Sequence, residues 1–158
     1  MVDDGTLARA LHVLGVIHWI GGLAFVTLVA LPFAVSRSSS KETLELFTGL
    51  ERRFAAQVRI SIPLVGATGL WMTYRLNLWD RFVDPSYWWM MAMLGLWLVF
   101  MLIIFVLEPL LHASFEKKAR DNPVSTFRRV GCMHAALLAV AAVTALGAVA
   151  GAHGHIFF

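Results

Sequence analysis

The sequence predicts an all-α, integral membrane four-helix bundle, on three observations. Of 158 residues, 59% are hydrophobic and 15% charged, and the mean hydropathy is +0.72, which is too apolar for a soluble domain. The apolar residues come in long blocks, near the ~20 residues needed to cross ~30 Å of hydrocarbon. The lysines and arginines collect between those blocks, so the net charge of +3 and the pI near 9.5 describe membrane orientation, not nucleic-acid binding. One bundle spanning 1–158 is the natural domain count. The first apolar block is too long for the core of a cleaved leader and has no small-x-small site close behind it, so no signal peptide is expected. The single cysteine, Cys132, excludes an intrachain disulfide and a thiolate metal cluster.

Met1 to Thr6 form a short polar start. Helix 1 is expected over 7–35, with Pro32 kinking or ending it. Ser36 to Lys41 form a Ser-rich turn. Segment 41–53 is amphipathic: Leu44, Phe47, Leu50 and Phe54 recur at helical spacing among Lys41, Glu42, Glu45, Glu51, Arg52 and Arg53. It runs into helix 2, taken as 54–75 because 60–74 alone is too short to span. That start brings Gln57 and Arg59 into the first turns, with Pro63 close by. Arg75 to Tyr87 form a loop, helix 3 covers 87–111 with Trp88 and Trp89 as interface aromatics, and His112 to Arg129 form a charged loop. Helix 4 covers 127–152. It is rich in Ala and Gly, its surface fits burial against other helices, and Gly147-x-x-x-Gly151 permits close packing within the chain or between copies.

Both termini then lie on one side. The two loops opposite carry Arg37, Lys41, Arg52, Arg53, Arg59, Lys117, Lys118, Arg120, Arg128 and Arg129, against Arg9, Arg75 and Arg81 on the terminal side. This asymmetry puts both termini outside the cytoplasm, in a multi-pass protein of a bacterial-type inner membrane.

The stretch that invites a function is Leu11 to Leu23. It is apolar yet carries His12 and His18, and an ionisable residue inside a membrane is a functional hypothesis by default. On a helix, His12, Gly15, Trp19 and Gly22 share a face. That face offers a ligand atom, two positions without side chains and a flat aromatic, fit for a flat macrocycle such as haem or for another helix. His18 lies roughly 9 Å along the axis and 120° round from His12, so the two do not form an obvious pair for one ion. On the terminal side also lie Met90, Met91 and Met93, with His153 and His155 in the tail; His112 and His134 lie on the other side. Histidine and methionine suit haem iron and copper alike. His12 with His153, or with a helix 3 methionine such as Met91, is one candidate haem site. His112 with His134 is a second, if helix 3 reaches past Pro109. Arg59 and Glu108 share that second level, as an ion pair or with Arg59 on a haem propionate. Phosphate loops, HExxH and a Ser/His/Asp arrangement are absent.

Leu11-His12, followed after six residues by Trp19-Ile20-Gly21-Gly22-Leu23, resembles the first-helix signature of the copper resistance D family and of HemJ-type protoporphyrinogen oxidases. His112 to Pro123, ending Arg120-Asp121-Asn122-Pro123, is similar to their third loop. The resemblance implies a four-helix protein binding haem b with His12 as ligand. HemJ-type proteins carry a lysine early in helix 3 after a tryptophan. Here the stretch is Trp88-Trp89-Met90-Met91-Ala92-Met93, which leaves the second ligand to a methionine or a tail histidine. His18 is extra to the pattern and favours a changed or additional cofactor site. The expected function is electron transfer by a membrane haem b protein holding one haem or two, with a quinone or a redox protein as partner and the bilayer around it. As an enzyme it would be an oxidoreductase. A copper-binding or copper-transport protein is the alternative, and a small structural subunit whose histidines merely pack is the third reading. Self-association is left open by Gly147-x-x-x-Gly151.

Overall fold

The computed structural model describes residues 3–36 and 41–154. Among these, all regular structure is helical. Helix α1 (Asp4–Phe25) passes through a π-helical segment (Val26–Ala30) into α2 (Leu31–Ser36). Helix α3 (Lys41–Arg75) runs back as one unbroken rod that joins the amphipathic stretch to the apolar one. Two 3-10 turns, Trp79–Phe82 and Pro85–Tyr87, lead to α4 (Trp88–Leu102). A second π-segment (Ile103–Leu107) then carries the chain into α5 (Glu108–Asp121), and α6 (Pro123–Ala152) returns it. Three of these runs, Asp4–Ser36, Pro85–Leu111 and Pro123–Ala152, are long and apolar enough to cross a membrane. Arg59 and Arg75 bracket the apolar part of α3, which is not among them.

Pro32, expected to kink or end helix 1, does not end it, and Pro109 does not end its helix either. Each π-segment begins six residues before a proline, at Val26 before Pro32 and at Ile103 before Pro109. A proline offers no N–H to the carbonyl four residues back and its ring presses on that carbonyl. One wider turn upstream absorbs the clash and the helix continues. Thr27 lies in the first such turn and donates its hydroxyl to Leu23 O at 2.7 Å. Pro63 is taken up within α3 without a π-turn.

The charged loop expected over 112–129 is helical instead, apart from Asn122. There Pro123 pushes the preceding residue out of helical geometry, and Asn122 takes φ −147° and ψ 77°. Its N–H still closes α5 on Lys118 O at 2.9 Å. Its side chain accepts from Ser125 N at 3.3 Å, capping α6 with Pro123 in the first turn. The sequence pattern of that stretch is polar but holds no second breaker, so helix persists on both sides. At the opposite end Asn77 supplies the left-handed residue (φ 49°) that lets Leu78 N reach back to Thr73 O at 3.0 Å and stop α3.

Helix α1 packs antiparallel on α3 over nearly its whole length, and α4 packs on α6. Between them lies a core of Trp19, Leu23, Val58, Ile62, Val65 and Phe100, with the Trp19 ring edge-on to Phe100 at 4.8 Å between centroids. A second core, toward Asn122, joins α2 to α3 and α6 through Leu31, Ala34, Phe47 and Phe127. The outer face of α6, expected to be buried, exposes Val140, Val143, Leu146 and Val149. A bundle this small has room for one stripe of each helix, and α6 spends Phe127, Ala141, Thr144 and Gly147 on it.

Gly147 and Gly151 face inward: the Trp88 ring lies on the first and the Trp89 ring on the second. The spacing therefore serves packing within the chain. Gly147→Leu should destabilise the protein in detergent by the ~1–3 kcal/mol of an overpacked core, read as a lower thermal unfolding midpoint. Gly95→Ala, where nothing stands within 4 Å of the added carbon, should be neutral or stabilising by up to ~1 kcal/mol.

Candidate histidine site between α1 and α3

The antiparallel pair α1–α3 is pinned by a ladder of contacts. At its open end Arg75 makes a two-pronged ion pair with Asp4, Nε to Oδ2 at 3.0 Å and a terminal nitrogen to Oδ1 at 3.2 Å. One rung deeper is His12, then Gly15, then His18, then Gly22. Gly15 lies against the Val65 side chain and Gly22 against the Phe54 ring, where added β-carbons would collide. Of the two occupants the glycine face admits, another helix is the one seated there. Trp19, on the same face, is buried in the core with its indole N–H unpaired.

His12 is half-buried, and its Nδ1 lies 2.9 Å from Val65 O and 3.2 Å from Thr68 Oγ1. A backbone carbonyl only accepts, so Nδ1 carries the hydrogen. Nε2 is then left with its lone pair, and no described residue donates to it. Gly69 makes the seat: a β-carbon there would stand 3.2 Å from His12 Cε1. This is the arrangement of a ligating imidazole, with one nitrogen tied to a carbonyl that fixes the tautomer and the other free to bind.

His18 differs. Its Nε2 is 3.1 Å from Gln57 Oε1, and its Nδ1 is 3.2 Å from Ser61 Oγ. The amide oxygen accepts from Nε2–H and the serine hydroxyl donates to Nδ1, so both ring nitrogens are used. Sequence reasoning found both histidines but none of their α3 partners. The signal was available in Gln57, Ser61 and Thr68, which fall on one helix face at offsets of four and seven inside a largely apolar stretch, with Gly69 beside them.

The other candidates scatter. His153 caps α6, exposed, with Nδ1 donating to Val149 O at 2.8 Å. Met91 is 52% exposed and faces away from the bundle, while Met90 and Met93 are half-buried. Residue His112 lies within α5, and His155 is outside the described residues. His134, on α6, is half-buried with Nδ1 shielded and unpartnered. Among the described residues no three His, Cys, Asp or Glu side chains converge. A groove of about 790 Å³ between α2 and the start of α3, lined by Phe33, Leu46 and Arg53 among others, lies toward Asn122 and away from His12.

Arg59 and Glu108 do pair, at 3.0 Å. Side chains of a helix lean toward its N-terminus, so Arg59 reaches toward the Asn122 end while Glu108 reaches away from it, and they meet between α3 and α5. The second carboxylate oxygen of Glu108 is shielded and unpartnered.

No family model matches the chain, and neither a curated protein nor a solved structure emerges as similar to it. The ion pair between α3 and α5 can be tested on its own. Arg59→Leu and Glu108→Leu should each destabilise the protein in detergent, and the double variant by less than their sum. The coupling should fall between the ~1 kcal/mol of an exposed pair and the ~3 kcal/mol of a buried one, since the side chains are 42% and 30% exposed.

Proposed function

We propose that this chain is a membrane-embedded haem b protein with electron-transfer or redox activity, in which His12 Nε2 would bind the haem iron. The observation that carries the reading is the His12 ring itself: Nδ1–H is committed to Val65 O, leaving Nε2 unprotonated and unpartnered inside an apolar span. The donor chemistry fits haem iron. Gly15, Gly22 and Trp19 belong, on this reading, to the helix pair and not to the haem plane. The second ligand would come from the same end of the bundle: Met90 or Met93 on α4, or His153, whose Nδ1–H bond to Val149 O leaves its Nε2 free as at His12. The shielded, unpartnered indole N–H of Trp88 lies at that end too. Bound there, haem would supply one-electron exchange with a quinol or a redox protein. His112 and His134 mark a second level, where His134 Nδ1 lacks a partner. The likeness of 11–23 to haem b proteins supports the same reading.

Copper handling is the runner-up. It needs histidine and methionine donors that converge. His18 has no free nitrogen and Met91 faces outward, which favours haem.

The proposed topology adds α3 as a fourth span, its Arg59 neutralised by Glu108 and its Arg75 by Asp4. The Asn122 end, rich in lysine and arginine, faces the cytoplasm of a bacterial-type inner membrane. His12→Ala should abolish or change the reduced α band and the pyridine haemochrome of the purified protein, whereas His18→Ala should retain both. An unaltered spectrum in His12→Ala sinks the assignment. A reporter fused after Phe158 should be active only outside the cytoplasm.

A further inference from the structure

We propose that Thr68 is a positioning residue that tunes His12. Together with Gly69 it seats the imidazole and raises the electron-donating power of Nε2. The proposal rests on the reading of His12 as a ligand and adds to it which residues of α3 control that ligand.

The argument starts from hydrogen bookkeeping at one hydroxyl. Thr68 is buried, and its hydroxyl has a single hydrogen. Leu64 O lies 2.7 Å from Oγ1, closer than Val65 O at 3.1 Å, so the hydrogen goes to Leu64. The oxygen then turns its lone pairs to His12 Nδ1, at 3.2 Å. The Nδ1–H is thereby shared between two acceptors, Val65 O and Thr68 Oγ1. Each acceptor pulls the proton from the ring and pushes charge onto Nε2, the second-shell effect that makes a ligating imidazole more basic. A second acceptor also restricts rotation about the ring's bond to its β-carbon. The third contact is steric. His12 Cε1 lies over the bare α-carbon of Gly69, and a β-carbon there would be 3.2 Å away, so the ring would have to shift by a few tenths of an ångström.

Thr73 supplies an internal control. It is buried on the same helix and back-bonds to Gly69 O at 3.0 Å, but no histidine among the described residues bonds to it. A merely structural threonine should behave like Thr73.

The experiment compares Thr68→Val, Thr68→Ser, Gly69→Ala and Thr73→Val in the purified protein. In protein expressed without haem, the ¹⁵N shifts of selectively labelled histidine report the tautomer of His12. In protein with haem, the reduction midpoint and haem retention report the ligand strength of Nε2. Thr68→Val should move the His12 Nε2 and Nδ1 shifts while Val65 O keeps the hydrogen on Nδ1, raise the midpoint, because a weaker donor stabilises ferric iron less, and weaken haem retention about tenfold. Thr68→Ser should restore all three, and Gly69→Ala should shift the haem spectrum without abolishing it. Thr73→Val should match wild type. If Thr68→Val leaves the nitrogen shifts and the midpoint where they were, or if Thr73→Val moves them equally, the proposal is overturned. Haem-free protein under every condition would overturn the ligand reading instead. The tautomer measurement would still decide whether Thr68 positions the ring.

Discussion

The register of α1 against α3 is the constraint on which the rest depends. It is fixed at one end by Asp4 and Arg75 and at the other by Phe54 filling the space that Gly22 leaves. Between these, the two histidines of α1 meet the polar and small residues of α3. A slide of one residue would turn Gly15 away from Val65, take His12 from its carbonyl and part His18 from Gln57. Ser61 and Thr68 are buried and His12 half-buried, and such groups left without partners are costly, so these contacts weigh most in holding the register, with the exposed His18–Gln57 and Asp4–Arg75 contacts at their flanks. The His12 ring is thus aligned by the same contacts that align the helices.

The second hairpin is held by different means. Where α1 and α3 use hydrogen bonds, α4 and α6 use two tryptophans set on two glycines at one end and a single-residue break at Asn122 at the other. The ion pair of Arg59 with Glu108 ties the hairpins together beside the second π-segment. Two π-segments, at matching distances ahead of Pro32 and Pro109, let the long rods keep their course past residues that would otherwise break them.

The helical class and the apolar blocks were legible because they follow from composition and from long uniform runs. The glycine face of α1 was legible as a face, yet its occupant was not: a period identifies which residues point together, and only the partner helix decides what fills the space. The double role of Gly147 and Gly151 was ambiguous for the same reason, until Trp88 and Trp89 took the positions above them. The stretch 112–129 misled because polar helix and polar loop share a composition, and only Pro123 carried a backbone signal. The division of labour between His12 and His18 was invisible in the sequence. It rests on which α3 atoms, 39 to 56 residues away in the chain, face each ring nitrogen.

On the proposed four-span topology, the polarity of α3 bears on how the protein would enter a membrane. Alone, this helix carries Gln57, Arg59, Ser61, Thr68 and Arg75 through or beside its apolar part, and a translocating segment with such a load is a poor candidate for independent insertion. Two of its polar side chains are answered by His18, one by His12 and one by Asp4, all on the preceding helix. Biogenesis on this reading is sequential. The first helix enters the bilayer on its own apolarity and then presents a polar, complementary edge that draws the second in behind it. The residues that seat His12 in the folded protein would thus already have served as the template for its assembly.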